Sequence, residues 1–246
     1  MAATSPHHGP DRFPEAVPGR GGEVRMFYTL TKRIVGSVAR AVYRPRVHGL
    51  EHVPADGPVI FAINHLSVAD SFIVPLVVPR PVSFLAKAEY FEGGGLKNRL
   101  TRNAFGALGA IPVQRGRGRA AKEALGTAQR VLSEGGAFGI HPEGTRSPDG
   151  RLYRGRTGVA RLALSGRSPV VPVALSGTAD LLPKGAKFPR PTRVTVRFGE
   201  ALHFSRYDGM ESALPILRSI TDEIMYAISE LSEQDYVDRY QSSAAA

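Results

Sequence analysis

The chain has 246 residues, 42% of them hydrophobic, and no cysteine, which excludes disulfides, thiolate metal sites and a cysteine nucleophile. Its formal net charge is +10 at neutral pH, so an anionic partner is expected: a phosphorylated ligand, a nucleic acid or an anionic membrane surface. No run of about 18 apolar residues occurs and no apolar segment follows the start, so neither a spanning helix nor a signal peptide is expected.

Residues 1–22 are rich in proline, glycine and small polar residues and read as a disordered tail. Residues 23–44 differ. Phe27, Leu30, Ile34, Val38 and Val42 recur at helical spacing, while Arg25, Lys32, Arg33, Arg40 and Arg44 are opposed only by Glu23. The pattern is that of an amphipathic helix lying on an anionic bilayer. A helix packed on its own domain with a solvated basic face has the same pattern.

Beyond it, residues 45–240 alternate between strands and helices. Pro45–Gly49 reads as an edge strand and Leu50–Pro54 as a turn. Strands are expected at 58–63, at 82–86 ending in Lys87, at 110–113, at 137–140, at 169–175 and, partly exposed, at 192–198. Helices are expected after Asp70 and over 96–107, 120–132, 158–164 and 213–231, with a frayed tail at 241–246. Alternation of this kind means a single α/β domain: a mixed, mostly parallel sheet flanked by helices, preceded by the amphipathic helix.

Polar residues gather where strands end. Asn64-His65-Leu66-Ser67-Val68-Ala69-Asp70 follows one strand and His141-Pro142-Glu143-Gly144-Thr145-Arg146-Ser147 another; Arg115 and Lys87 end two more. In a parallel sheet these ends share an edge, where α/β proteins bind ligands. Residues five apart on one helix point about 140° away from each other. His65 can therefore meet Asp70 only if His65 lies in a turn and Asp70 in the first helical turn. Ser67-Val68-Ala69-Asp70 has the form of a capping box with Ser67 as N-cap, which supports that placement and also offers Asp70 a purely structural role.

Four blocks in this order resemble those of the glycerolipid acyltransferases typified by 1-acylglycerol-3-phosphate acyltransferase. They are the His-x4-Asp of His65 and Asp70, then Gly109–Arg115, then Pro142–Ser147, and Val170–Ala174 with its internal proline. One departure stands out: the family usually carries phenylalanine or tyrosine before the proline, and here the residue is His141.

The resemblance implies transfer of a fatty acyl group from an acyl-CoA or acyl carrier protein thioester to the hydroxyl of a lysophospholipid, with no bound cofactor and no metal. His65 would act as general base, and Asp70 would hold its tautomer and stabilise the cation. The acceptor hydroxyl then takes the place of a serine nucleophile. Arg115, Glu143, Gly144 and Thr145 would bind the glycerol phosphate. Arg115 and Arg146 offer planar, permanently charged donors to it, and Glu143 would orient an arginine or a glycerol hydroxyl. Asn64 belongs to the first block, and Lys87 occupies the family's additional basic position. Arg151, Arg154 and Arg156 would meet coenzyme phosphates or the lipid surface. The enzyme would sit peripherally on the cytoplasmic face of the cell membrane.

Other acceptors, a different lysolipid or a glycolipid, fit the same blocks. Two further readings start from other residues. Gly116-Arg117-Gly118-Arg119-Ala120-Ala121 has the G-x-G-x-x-A form of a dinucleotide site, with Glu134 as the distant acid. The net charge and the arginine–glycine run also suit a basic nucleic-acid-binding module, although no exposed aromatic pattern accompanies them, so nucleic acid is not an expected partner.

Overall fold

The computed structural model describes residues 45–88, 106, 109–113, 118–183 and 189–241. The expected N-terminal tail and amphipathic helix, nearly all of the helix expected over 96–107, and Arg115 lie outside the described residues.

The strands are β1 (Arg46–His48), β2 (Val59–Ile63), β3 (Val82–Lys87), β4 (Ala110–Val113), β5 (Ala137–Ile140), β6 (Leu152–Tyr153), β7 (Val170–Ser176), β8 (Thr195–Phe198) and β9 (Tyr236–Val237). The helices are α1 (Asp70–Val77), α2 (Arg119–Ser133), α3 (Gly158–Ser165), α4 (Thr178–Leu181) and α5 (Leu214–Ser232). Seven strands form one sheet in the order β1-β8-β7-β2-β5-β3-β4. From β7 to β4 all neighbours are parallel. β8 runs antiparallel to β7, and β1 parallel to β8. The carboxyl ends of β2, β3, β4, β5 and β7 therefore share one edge, as the alternating pattern predicts.

β2 lies at the centre, and its run Val-Ile-Phe-Ala-Ile is buried throughout. A strand covered on both faces needs apolar residues at every position, which is why the run does not alternate. Ile60 and Ala62 join one core with α2, α3 and α5; Val59, Phe61 and Ile63 join a second with α1 on the other face. α5 presents Leu217, Ile220, Ile224 and Ile228 to the first core, all fully buried. Each such side chain contributes about 1.5–3 kcal/mol of hydrophobic stabilisation. Pro112 lies in β4, the outermost strand of the sheet among the described residues, and proline in sheets is found mainly on edge strands.

Several details differ from expectation. The regular part of α1 starts at Asp70 rather than just after Ser67, because residues 68–69 form a turn. The 50–54 turn contains a short 3-10 helix at Leu50–His52. β8 is partly exposed as expected, with Val196 and Phe198 buried and Thr195 and Arg197 half-buried, but it lies inside the sheet, between β7 and β1. Of the tail expected to fray from 241, only Gln241 is described, and between it and α5 lies a strand the sequence did not predict. β9 pairs in parallel with β6 as a separate two-stranded sheet, and Gln241 is buried.

Candidate active site

The turn between β2 and α1 is built around one carboxylate oxygen. Asp70 Oδ2 lies 3.0 Å from His65 Nδ1. The same oxygen accepts the backbone N–H of Leu66 at 2.6 Å and of Ser67 at 2.7 Å. The Ser67 hydroxyl accepts the N–H of Ala69 and donates to the carbonyl of Leu182. Ser67 is not the N-cap, which is Ala69 with no side-chain cap bond; Asp70 reaches back across the turn to the Ser67 N–H, and with the same oxygen it also holds His65.

Both residues of the pair are buried. Burial pushes the Asp70 pKa up, against the opposing influence of His141, the Ser67 N–H, Thr178 and the Leu66 N–H. Asp70 Oδ1 and Thr178 Oγ1 are both buried and neither has a hydrogen-bond partner among the described residues. Because a carboxylate only accepts, the His65 proton sits on Nδ1, and Nε2 carries the basic lone pair.

The 141–147 turn, at the end of β5, is tied to this one directly. Ser147 donates its N–H to the His65 carbonyl at 2.7 Å. Glu143 is buried, and its two oxygens accept the backbone N–H groups of His65 at 3.0 Å and Tyr153 at 2.9 Å. It clamps the turn after β2 to β6, and among the described residues it orients no arginine. Burial pushes its pKa up to about 7, with Asp70 and Asp149 adding to the effect.

Gly144 follows in the left-handed region at φ 77°, and a Cβ there would sit 2.9 Å from Arg156 Nε. A side chain there would be strained by the positive φ and would make the Arg156 side chain shift. Arg156 is exposed and lies 5.6 Å from the Tyr240 ring. Thr145 and Arg146 are half-buried on the same turn.

Asn64 is fully buried. It exchanges two hydrogen bonds with the Leu175 backbone and donates to Gln234 Oε1 at 2.7 Å. Gln234 in turn donates to the Gly150 carbonyl. Lys87 is the last residue of β3, on the same edge as the two turns. Arg115 lies outside the described residues, two positions past the end of β4. Glu134, the acid of the dinucleotide reading, is the exposed C-cap of α2. Among the described residues no three His, Cys, Asp or Glu side chains gather as a metal site.

A family model described as Acyltransferase matches residues 44–176, more than half of the chain. The chain belongs to the acyltransferase family. The match contains all four sequence blocks and both hydrogen-bonded turns. Among relatives of this acyltransferase, the 1-acyl-sn-glycerol-3-phosphate acyltransferase of Bacillus subtilis is 27% identical over 191 residues, covering 77% of this chain and 88% of that protein. The chloroplastic 1-acyl-sn-glycerol-3-phosphate acyltransferase BAT2 of Brassica napus is 28% identical over 165 residues, 66% of this chain and 46% of that protein. The chain thus spans less than half the length of that plant relative. The crystal structure of the 1-acyl-sn-glycerophosphate acyltransferase PlsC from Thermotoga maritima superposes with a TM-score of 0.62 at 26% identity, covering 88% of this chain and 85% of that one.

Three further residues that contact the two turns were not singled out by sequence. Ser71 reaches His141, Tyr153 supplies the second N–H of the Glu143 clamp, and Gln234 closes on Asn64. Ser71, next to Asp70, is the only one of them whose position in the chain points to the site.

Proposed function

We propose that this acyltransferase moves a fatty acyl group from a thioester to the free hydroxyl of 1-acylglycerol-3-phosphate, forming phosphatidic acid. The observation that carries the reading is the His65–Asp70 pair, closed at 3.0 Å on the carboxyl edge of the parallel sheet. The names of the relatives supply the acceptor.

In this reaction His65 Nε2 takes the proton of the acceptor hydroxyl as its oxygen attacks the thioester carbonyl. Asp70 keeps Nδ1 protonated and stabilises the imidazolium. Collapse of the tetrahedral adduct breaks the C–S bond, and the His65 proton passes to the departing sulfur. Ester and thiol are released, and His65 returns to its starting state. General-base help of this kind contributes about 10²–10⁴-fold. Lys87, Arg115, Thr145 and Arg146 surround the acceptor phosphate in this proposal, Gly144 gives its backbone room to approach, and Glu143 and Asn64 position the turns that carry them.

The donor is acyl-CoA or acyl carrier protein thioester. The protein binds peripherally to the cytoplasmic membrane surface through residues 23–44, and no helix among the described residues is long and apolar enough to cross a membrane. A thiol-release assay with both donors against 1-acylglycerol-3-phosphate, other lysophospholipids and a glycolipid tests the reading. Turnover confined to 1-acylglycerol-3-phosphate and abolished in His65→Ala is expected. Preference for an acceptor without a phosphate monoester would overturn the acceptor assignment. Near-normal turnover by His65→Ala would overturn the mechanism. High salt or alkaline carbonate should release the protein from membranes, whereas release by detergent alone would contradict peripheral binding.

A further inference from the structure

His141 stands beside His65 with its hydrogen bonds already assigned by its neighbours. The two imidazole rings stack with centroids 3.8 Å apart and planes 11° from parallel. His141 Nδ1 lies 3.1 Å from the Ile63 carbonyl and 3.2 Å from that of Asn64. Carbonyls only accept, so Nδ1 carries the hydrogen and Nε2 the lone pair, which faces the Ser71 hydroxyl at 3.2 Å. Burial, reinforced by the neighbouring His65, pushes the His141 pKa down to about 3, so the ring is neutral at working pH. A ring this reluctant to take a proton is a poor base, and the Ser71–His141 contact is not an activated nucleophile.

We propose that His141 is a positioning residue: a neutral plate, anchored to the two peptides that precede His65, that fixes the plane of the His65 imidazole and so the direction of its Nε2 lone pair. Anchor and stack both belong to the end of β2, so the plate moves with the base it holds. The flat ring also gives the imidazolium formed in turnover an aromatic face to lie against. A misplacement of about 1 Å can cost about 100-fold in rate, so loss of the plate acts on kcat rather than on substrate binding.

This inference rests on His65 being the base, and the test separates the two ideas. His141→Phe, His141→Leu, His141→Ala, Ser71→Ala and His65→Ala are compared for kcat and for both KM values, with folding checked by circular dichroism. His141→Phe should stay within about 3-fold of wild type, whereas His141→Leu, similar in bulk but not planar, and His141→Ala should lose about 10–100-fold in kcat with KM little changed. Ser71→Ala should remain nearly normal. Equal activity of the Phe and Leu variants would reduce the site to space filling and overturn the proposal. So would a Phe variant as slow as Ala, or an acyl adduct on Ser71 detected by mass spectrometry. Should His141→Ala fail to fold, the Phe-to-Leu comparison still decides. An active His65→Ala protein would instead refute the general-base reading on its own.

Discussion

Glu143→Gln isolates the charge of the buried clamp from its shape. An unfolded chain releases the glutamate proton near 4.5, and the folded protein holds it to about 7. Between those values the folded state keeps a proton that the unfolded state has lost, so stability falls as pH rises through the window and the full cost is present above it. At about 1.4 kcal/mol per pH unit the fall amounts to about 3 kcal/mol. Glutamine has no proton to release and is level across the same window. Its amide accepts one of the two N–H groups and turns its own N–H toward the other, a penalty of about 1–3 kcal/mol at every pH. Urea unfolding of both proteins, at steps between about pH 4.5 and 8, measures the difference between them and cancels the remaining titrating groups. Wild type should be the more stable protein at the acid end, with its advantage shrinking or reversing by about 3 kcal/mol at the alkaline end. A difference that stays constant with pH, or grows as pH rises, would refute a raised Glu143 pKa and with it the picture of a dry clamp.

Asp70→Asn leaves an oxygen to accept from Leu66 and Ser67 but removes the negative charge beside His65; kcat should fall about 10³–10⁴-fold in steady-state assays while the circular dichroism spectrum is retained. Gly144→Ala meets both an unfavourable φ and the Arg156 side chain, so it should cost about 1–2 kcal/mol in thermal unfolding and raise the acceptor KM. An unchanged melting temperature would show that the crossing of Arg156 over Gly144 is not tight. Gln234→Ala leaves the Asn64 amide and the Gly150 carbonyl without their shared partner; hydrogen exchange should quicken at the Leu152 and Arg154 amides, which bond to residues 235–239.

Most of the sheet was legible because a buried parallel strand leaves a short apolar run, and β2, β5 and β7 each do. The His65–Asp70 contact was legible too, since five-residue spacing allows one arrangement and Ser67 marks the turn that provides it. What remained hidden depends on long-range partners. Asn64 looks like a polar site residue, yet it meets Leu175, 111 positions away, and Gln234, 170 away. Glu143 lies in a motif full of phosphate-binding residue types, and its burial against His65 and Tyr153 leaves no local trace. β8 alternates as an exposed strand would, because one of its faces is only half covered; its internal place comes from β1 crossing to its far side. The two-residue strands β6 and β9 are too short to show a period.

The β6–β9 pairing also sets the order in which the protein can mature. A ribosome delivers residues 45–183, with both hydrogen-bonded turns, well before Gln234 emerges. Until then the Asn64 amide lacks one partner, and β6, which supplies an N–H to Glu143, has no neighbouring strand. Contacts this distant in the chain form late, after the entropy of closing a long loop has been overcome. In a nascent chain the turn after β2 therefore lacks the Asn64–Gln234 bond until the 234–239 segment has emerged.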